Sequence, residues 1–504
     1  MAVKKNIQVK FPASEKVYIP GEINRIQIGV RRVSLSDTIL TNNDGSKYAK
    51  NNNPVILYDT TGPYSDPKIE LNPQKGIPRI KEEWNIRRKD QVRISGKLIA
   101  KNGKNITQPF YAKRRIITPE MEYVAIRENQ QIEGLGLKSH ITPDFVRKEL
   151  AAGRAVIPSN INHPEAEPMI IGKNFLVKVA STILYEENVY DPETEMRKIA
   201  WNCRWGSDLL VEATQCASQT EKREVLLRNS PVPFCTTPLL DTFSQIEKLE
   251  DLNWKFFRNT LVSQAEQGVD CMIIHAGFLR KHLKLTNIRL AEVATETGTI
   301  LQQWMTVTQK ENFLYTHFTE ICEILKQYDV TILLGSALRS HSIYDANDSA
   351  QFAELRVLGE LTQKAREQFV QVIVEGPGHT PLNKIQENIK EQQYLCKQTP
   401  FFTTGSVSTD ITPGNEYIAS AIGAAHIAWL GASLISDQYS GKDTEMIKNR
   451  LIAHKIAAHS ADLAKGHPGA QIRDNALSKA RFEGRKRDVI NLSLDPAKTA
   501  KFLQ

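Results

Sequence analysis

Between residues 150 and 440, short apolar runs alternate with longer amphipathic segments. The runs are rich in β-branched residues, as in strands buried on both faces, and the segments between them have the periodicity of helices, for example over 349–368. Eight or nine such repeats predict an α/β fold with a closed parallel (β/α)8 barrel, and a doubly wound open sheet is the alternative. The strand candidates are 155–157, 175–179, 208–211, 232–236, 270–274, 330–334, 370–374, 401–404 and 432–435.

The pattern differs on either side of this region. Residues 1–145 are rich in Pro, Asn, Lys and Arg, and short alternating segments such as 92–95 and 97–100 predict small strands in an N-terminal α+β domain. Thr118 followed by Pro119 predicts a helix start. The barrel is predicted over 146–440, and residues 441–504 predict a C-terminal helical segment that ends in a charged tail.

Composition narrows the class of protein. The 504 residues are 41% hydrophobic and 24% charged, which is typical of a globular chain, and a net charge of +8 is too mild for a nucleic-acid tail but would suit a phosphorylated small ligand. The longest stretch of low charge, 421–435, is too short for a membrane span, and no signal peptide is evident, so we expect a cytoplasmic protein. Six cysteines lack any Cys-x-x-Cys pair: Cys203, Cys216, Cys235, Cys271, Cys322 and Cys396.

In a parallel barrel, the residues that follow the strands face one site. The sequence therefore predicts a polar rim, in which His275 and His379 could bind a metal or act as acid and base, Glu375 could hold a ring nitrogen or ribose hydroxyls, and Arg339 could pair with an anion. Single residues of this kind are also often ordinary polar residues at a barrel mouth. The other rim candidates are Asn160, His163, Thr182, Glu212, Thr237, Ser336 and Thr404.

Other sites are weaker by the same reasoning. His426 lies near His379 in the sequence and is a weaker candidate for a second metal ligand. His454 and His459 stand five residues apart on a predicted helix and so do not share one face closely. We therefore expect these two histidines to be structural. No P-loop or Ser-His-Asp arrangement is evident. Gly134-Leu-Gly comes nearest to a dinucleotide fingerprint, but Ser139 occupies the place of the third glycine.

Long segments of the chain resemble the thiamin-pyrimidine synthases, which convert aminoimidazole ribonucleotide into hydroxymethylpyrimidine phosphate by radical chemistry. The matching segments include Leu57-Tyr-Asp-Thr-Thr-Gly-Pro-Tyr-Ser-Asp-Pro and Glu375-Gly-Pro-Gly-His379, with further stretches at 117–129, 161–172, 311–318 and 465–482. The resemblance implies a (β/α) barrel with an N-terminal domain, a dimer, a zinc-like metal and S-adenosylmethionine. It also implies a 4Fe-4S cluster on a C-terminal Cys-x-x-Cys-x-x-x-x-Cys tail.

The resemblance assigns roles to some of the rim residues, whereas at other positions this sequence differs from the family. It implies that His275, Arg339, Glu375 and Ser336 contact substrate and that His379 binds the metal, although Ser336 stands where the family has aspartate. The family's Ser-Arg-Gly-Gly-Ser loop is changed at Thr295, Glu296 and Thr297, which puts a carboxylate where an arginine would favour a phosphate. The remaining altered positions are Thr182, Val211, Leu240, Phe402 and, nearest to the second metal histidine, Asp443.

No cluster cysteines stand before Gln504. Together with the altered pocket, this predicts a member of the family that is catalytically impaired on its own and that holds no cluster, with a doubtful metal. Alternatives are a partner subunit that forms a homodimer or pairs with an intact homologue, a protein that binds another ligand, and an active synthase that is truncated or borrows a cluster. A metal-dependent barrel hydrolase using His275, His379 and Asp443 is a further alternative.

Overall fold

Antiparallel sheets and short helices form the N-terminal region of the computed structural model, which describes residues 7–503 except 10, 12, 130–139, 185–190, 213–218 and 438–440. Three strands pair in the order β1, β2, β5, while β3 with β4 and β6 with β7 form hairpins. The two small strands predicted at 92–95 and 97–100 are therefore confirmed as β6 and β7, and the structure shows that they pair as a hairpin. The strands are β1 (Glu15–Pro20), β2 (Gln27–Val33), β3 (Thr38–Thr41), β4 (Lys47–Lys50), β5 (Val55–Leu57), β6 (Gln91–Ile94) and β7 (Lys97–Ala100).

Four helices complete this region. The predicted cap is confirmed, because Thr118 Oγ1 accepts a hydrogen bond from Met121 N at 3.3 Å. A 3-10 helix at Gly62–Ser65 lies within the family-matching segment that begins at Leu57, and its four residues are buried. The helices are α1 (Glu82–Arg88), α2 (Gln108–Lys113), α3 (Pro119–Glu128) and α4 (Pro143–Ala151).

Eight parallel strands close into a barrel in sequence order, with the last strand paired to the first. This confirms the predicted fold class and eight of the nine strand candidates. The ninth, at 155–157, is the short strand β8 (Ala155–Val156), which pairs with β9 (Ile171–Gly172) outside the barrel. The barrel strands are β10 (Lys178–Ile183), β11 (Leu209–Glu212), β12 (Phe234–Thr236), β13 (Cys271–Ile274), β14 (Thr331–Leu334), β15 (Val372–Glu375), β16 (Phe401–Thr404) and β17 (Leu434–Ser436).

Helices surround the barrel and pack on the outward-facing strand residues, as the amphipathic pattern predicts. The helix predicted over 349–368 is confirmed at 349–367. The helices are α5 (Pro192–Arg204), α6 (Gln219–Asn229), α7 (Pro238–Phe243), α8 (Trp254–Gln267), α9 (Leu283–Thr286), α10 (Glu296–Thr308), α11 (Phe313–Thr316), α12 (Phe318–Leu325), α13 (Ser349–Glu367), α14 (Leu382–Leu395) and α15 (Glu416–Leu430).

Alternate strand residues fill the interior of the barrel. Ala180, Leu209, Cys271 and Leu434 belong to one buried cluster with Val156 of β8. Most of these interior residues lie near the beginning of their strands. Since Val156 packs with them, β8 and its partner β9 cover the amino-terminal end of the barrel.

Two predicted rim residues lie at that amino-terminal end, so their predicted position is wrong. His163 Nδ1 lies 2.6 Å from Asp270 Oδ2, and Asn160 N donates to Asp270 Oδ1 at 2.9 Å. Asp270 immediately precedes β13, and all three side chains are buried. The prediction failed because 155–157 follows the strand pattern without belonging to the barrel, so its loop is not at the carboxyl end.

The C-terminal segment is helical as predicted, but the expected charged tail also forms helix. The helix α16 packs along α15, and α18 returns to the N-terminal sheet, where Asp488 Oδ1 and Oδ2 accept from Ser36 N at 3.1 and 3.0 Å. Division of the chain at 145 and 440 stays a prediction.

Among the described helices, none is both long and apolar enough to cross a bilayer. The C-terminal segment consists of α16 (Thr444–Ala464), α17 (Pro468–Phe482), α18 (Lys486–Leu492) and α19 (Pro496–Phe502).

Candidate active site at the carboxyl end of the barrel

Three neighbouring strands bring the predicted substrate residues together. Arg339, in the loop after β14, pairs with Glu375 at the end of β15, with 3.1 Å between Arg339 Nη1 and Glu375 Oε1. Ser336 N donates to Glu375 Oε2 at 2.8 Å. These three residues and His275, which follows β13, are all buried. The structure therefore places a carboxylate, a guanidinium and an imidazole in one buried cluster, with the charges of the first two compensating each other.

Glu354 on α13 holds the loop that carries Ser336 and Arg339. Its Oε2 accepts from Ser336 Oγ at 2.6 Å and from Leu338 N at 2.7 Å, and its Oε1 accepts from Ala337 N at 3.0 Å. Burial raises the pKa of Glu354 to about 7; the three hydrogen bonds oppose this rise and the charge of Glu375 adds to it. Ser336 thus joins two buried carboxylates, one through its hydroxyl and one through its amide.

Glu354 was not among the predicted site residues, although the sequence carries a signal for it. Gln351, Glu354, Leu355 and Leu358 have the spacing of one helix face, and all four are buried. A carboxylate on an otherwise largely apolar face needs hydrogen-bond partners, so this pattern could have marked the residue.

The imidazole of His275 is buried, and neither ring nitrogen has a hydrogen-bond partner. Burial, and after it the charge of Arg339, lowers the pKa of His275 to about 3. A Cβ atom on Gly335 would lie 2.7 Å from His275 Nε2, so glycine is what allows the ring to sit there. His275 is therefore neutral near pH 7, and a ligand that offers hydrogen bonds could use both of its nitrogens.

His379 lies near this buried cluster, beside two residues that were not among the predicted site residues, His341 and Asp410. Its Nδ1 is 2.6 Å from Asp410 Oδ1, and its ring centroid is 5.0 Å from that of His341. Burial and the nearby charges of His379 and Arg339 lower the pKa of His341. Asp410 follows β16 and His341 follows β14, the two strands that pair with β15 on either side, so the parallel pairing of these strands brings both residues next to His379.

Three altered positions line the barrel interior. Phe402 and, partly buried, Val211 belong to the interior cluster. Thr182 stands two residues after Ala180 of that cluster and so faces the same side of β10. Leu240 lies on α7 and packs outside the barrel against the main core.

Glu212 faces away from the barrel interior, so its predicted rim position is wrong. Its Oε2 lies 2.7 Å from Arg223 Nη2, and the same nitrogen lies 2.6 Å from Asp241 Oδ2. The interior residues of this strand are Leu209 and Val211, and alternation therefore turns Glu212 toward the helices. Thr237 precedes α7 as its N-cap residue, and Thr404 ends β16.

The altered loop 295–297 begins α10 beside the Ser336 loop. Ala294 N donates to Ala337 O at 2.9 Å, and Thr295 Oγ1 caps the helix by accepting from Gly298 N at 3.0 Å. Glu296 is exposed in the first turn and Thr297 is buried. Amide groups at a helix N-terminus favour an anion, but here the first helical residue is itself a carboxylate.

Asp443 caps α16 and does not lie with the other predicted ligands. Its Oδ1 accepts from Glu445 N at 2.9 Å and from Met446 N at 3.2 Å. In the part of the chain that the structure describes, no group of three or more His, Cys, Asp or Glu side chains is arranged to hold a metal ion. The hydrolase alternative, which needs Asp443 together with His275 and His379, therefore has no support there.

The remaining candidates have structural contacts or lie outside the described residues. His454 is buried and bonded to Ser420 Oγ and Arg450 O, each at 2.9 Å, as expected of a structural histidine. His459 pairs with Asp474, and the ring of His426 lies 5.9 Å from that of Trp429. Cys216 and the segment 134–139 lie outside the described residues.

Five cysteines are described, and all are buried. Cys235 and Cys271 pair across β12 and β13 in the barrel interior, whereas the other three lie on or at the ends of helices α5, α12 and α14. Burial raises the pKa of the Cys322 and Cys396 thiols to about 12. The described cysteines therefore do not fit an iron–sulfur cluster.

Two family models match the chain. Residues 107–504 match the radical SAM ThiC family, and residues 10–92 match the ThiC-associated domain. The first match covers the barrel and the C-terminal helices, and the second covers most of the antiparallel N-terminal sheets.

Among solved structures, the chain is similar to dihydropteroate synthases. The structure from Coxiella burnetii in complex with pteroic acid is 11% identical with a TM-score of 0.34, and the match covers 61% of this chain and 99% of that chain. The Yersinia pestis structure is 12% identical with a TM-score of 0.33, covering 58% and 95% respectively. The Thermus thermophilus structure in complex with 4-aminobenzoate is 11% identical with a TM-score of 0.32, covering 57% and 93%. Values this low carry no argument about ligand or reaction.

Proposed function

We propose, from the premise that this chain belongs to the radical SAM ThiC family, that it retains the family's ribonucleotide pocket but carries out the family reaction poorly on its own. The family comprises the hydroxymethylpyrimidine phosphate synthases of thiamine biosynthesis and uses a 4Fe-4S cluster with S-adenosylmethionine.

The retained part of the pocket supports binding of the base and sugar. His275 offers two unpartnered ring nitrogens, and its low pKa keeps it neutral. Glu375 can accept hydrogen bonds from an amino group or ribose hydroxyls, and Arg339, 3.1 Å away, holds that carboxylate in place. Such groups can position an aminoimidazole ring.

The altered part of the pocket supports impairment, and Glu296 is the observation that carries the proposal. The helix N-terminus that contacts the Ser336 loop begins with this carboxylate, at the position where the resemblance implies an arginine. A phosphate near Glu296 would be repelled, and Arg339 is already paired with Glu375. We therefore expect the phosphorylated substrate to bind weakly and without a fixed orientation.

The residues present fit one of the family's cofactors, the metal, better than the cluster. His379, oriented by Asp410, fits a metal ligand, since a carboxylate bonded to one ring nitrogen leaves the other free to coordinate. A metal there would supply Lewis-acid polarisation of a bound oxygen or nitrogen. The described cysteines, by contrast, do not fit a 4Fe-4S cluster.

Isothermal titration of aminoimidazole ribonucleotide into the protein tests the proposal. We compare the unchanged protein with Glu296→Arg and with a variant that restores the family loop, Thr295→Ser, Glu296→Arg, Thr297→Gly and Thr299→Ser. Reversing the charge beside a phosphate should strengthen binding by roughly tenfold at low salt, with less gain as salt increases. Glu360→Arg, an exposed position on α13, is the control with the same change in net charge.

Catalysis is measured anaerobically with reductant, S-adenosylmethionine and the ribonucleotide. The proposal expects little or no hydroxymethylpyrimidine phosphate from the unchanged protein. Tight ribonucleotide binding together with efficient product formation by the unchanged protein would refute impairment, as would an equal gain in affinity for Glu360→Arg. Formation of a homodimer, or of a heterodimer with an intact homologue, stays a prediction that size-exclusion chromatography can check.

A further inference from the structure

A cavity lies where three parts of the molecule meet, away from the cluster at the carboxyl end of the barrel. Strand β5 of the N-terminal sheet lines one side, and residues at the beginnings of β10 and β11 line another. Helices α16 and α17 and the end of α18 complete the wall. The volume is about 300 Å³, at the lower end of the range for pockets that bind small molecules.

Most of the cavity wall is apolar, and all three parts of the molecule contribute to it. A ligand with an apolar body would remove this surface from water, which favours binding. Pockets for small organic molecules commonly combine such walls with a few polar groups that fix orientation. The apolar lining residues include Val55, Leu57, Leu176, Ala470, Leu477 and Leu492.

The two lysines that line the cavity are each paired with a carboxylate. Lys178 Nζ lies 2.9 Å from Glu128 Oε1, and Lys455 Nζ lies 3.2 Å from Asp208 Oδ2. Both carboxylates are buried, so their attraction for the lysines is only weakly screened by solvent. Neither lysine therefore contributes a surplus positive charge to the cavity.

Two acidic residues of the lining also have partners. Asp462 Oδ1 lies 2.9 Å from Lys465 Nζ, and Asp474 pairs with His459. Asp474 is exposed, so water screens its charge as well. The acidic groups are therefore occupied and leave Arg473 as the cation whose charge must be accounted for.

Arg473 on α17 makes no ion pair within 4.0 Å in the part of the chain that the structure describes. Its Nε donates to Leu492 O at 2.7 Å and its Nη2 donates to Ser493 O at 2.8 Å, which holds the guanidinium at the end of α18. Burial lowers the pKa of Arg473 to about 10, although the charge of Asp474 opposes this change. The group remains charged at pH 7, and three of its five N–H groups are left for a ligand.

Tyr58, which follows β5, adds a hydrogen-bond donor to the lining. Its hydroxyl oxygen is buried and has no hydrogen-bond partner among the described residues. Burial raises the pKa of Tyr58 well above its usual value, so the hydroxyl keeps its proton. A buried hydroxyl without a partner is costly, and a ligand oxygen that accepts its proton would relieve that cost.

We propose that this cavity binds a small organic monoanion with an apolar body, of the class of aromatic or branched-chain carboxylates, and that Arg473 holds the carboxylate. A planar guanidinium matches the two oxygens of a carboxylate. One uncompensated cation suits a single negative charge, whereas a phosphate monoester carries about two at pH 7. The apolar wall then encloses the body of the ligand.

The position of the cavity separates this site from the reaction. The beginnings of barrel strands serve stability, whereas catalytic groups stand at the opposite end. None of the lining residues belongs to the cluster of His275, Arg339 and Glu375, so the site does not depend on the proposed ribonucleotide pocket. A ligand here would contact the N-terminal sheet, the barrel and the C-terminal helices at once, and we expect it to hold the three together.

Calorimetric titration of the full chain with 3-phenylpropionate and with its neutral amide, 3-phenylpropionamide, tests this site. The unchanged protein should bind one equivalent of the acid and should bind the amide roughly tenfold more weakly, because the charge-assisted hydrogen bonds are lost. In Arg473→Gln the acid and the amide should bind equally weakly, and Arg473→Lys should keep the preference for the acid. Arg481→Gln, an exposed arginine on the same helix, is the control with the same change in net charge.

A second variant leaves Arg473 in place and fills the cavity. Ala470 is buried and lines the cavity, so Ala470→Phe should weaken binding of both probes by roughly tenfold or more. Bound 3-phenylpropionate should slow backbone hydrogen exchange in β5, α17 and α18 of the unchanged protein. Circular dichroism verifies that each variant is folded.

Three calorimetric results would overturn the assignment: no binding of either probe at about 10 mM, equal affinity of the unchanged protein for acid and amide, or an undiminished preference for the acid in folded Arg473→Gln. Protection from exchange at 336–341 instead of β5 would place the carboxylate beside Arg339 and would overturn it as well.

Discussion

Glu354→Gln tests the electrostatic cost of holding the Ser336 loop with a buried carboxylate. Burial raises the pKa of Glu354 from 4.5 to about 7 in the folded protein. In the unfolded chain the group loses its proton near its ordinary pKa, so between about pH 4.5 and pH 7 the folded state binds more protons. Stability that the protonated group contributes is therefore present below about pH 4.5 and is lost as the pH rises through about 7.

The size of the effect follows from the shift. A difference of about 2.5 pKa units corresponds to about 3 kcal/mol of unfolding free energy between pH 4.5 and a pH above 7. Glutamine cannot ionise, so this dependence should be absent from Glu354→Gln. The amide also loses an acceptor for the groups of Ser336 or Leu338, which costs about 1–3 kcal/mol, but this cost does not vary with pH.

Urea-induced unfolding at half-unit steps from pH 4.5 to 8.5 measures both the pH-dependent contribution of Glu354 and the constant cost of the lost hydrogen-bond acceptor. The unfolding free energy of the unchanged protein minus that of Glu354→Gln should fall by about 3 kcal/mol with rising pH and level off above about pH 7.5. Glu360→Gln, an exposed position on the same helix, serves as the control. A difference that is flat or rises with pH, or an equal slope for the control, would refute the reasoning.

Two further predictions concern the two ends of the barrel. Gly335→Ala should displace the ring of His275, because the new Cβ would lie 2.7 Å from Nε2. Calorimetry should then show that aminoimidazole ribonucleotide binds roughly tenfold or more weakly. Unchanged affinity would exclude His275 from the binding site. Asp270→Ala removes the acceptor of buried hydrogen bonds, including that of His163. The free energy of unfolding, measured by urea denaturation, should therefore fall by about 3–5 kcal/mol, while the ribonucleotide affinity of the folded protein stays the same. A loss below about 1 kcal/mol would contradict the structural role.

Much of the fold was predictable because its signals are local. Strand alternation and helix periodicity extend over four to twenty neighbouring residues, and they identified the eight barrel strands and the long helix α13. Likewise His275, Arg339 and Glu375 were found because each lies at or shortly after the carboxyl end of a strand, and the parallel pairing of neighbouring strands brings such positions together.

The failures came from properties that a local pattern does not contain. The segment 155–157 has the composition of a barrel strand, but its partner is Ile171–Gly172, and only that pairing sends His163 to the amino-terminal end. Glu212 is one residue out of phase with the interior positions of its strand, and a shift of one residue reverses the face of a side chain.

The sequence by itself determined the order of strands and helices, the family and the residues that follow each strand. Only the tertiary structure decided which polar groups meet. Glu354 reaches Ser336 from a helix 18 residues away, and Asp410 reaches His379 across 31 residues. Contacts of this kind depend on how the closed barrel sets one loop against the next, because hydrogen bonds and ion pairs act over a few ångströms in space, whatever the separation along the chain.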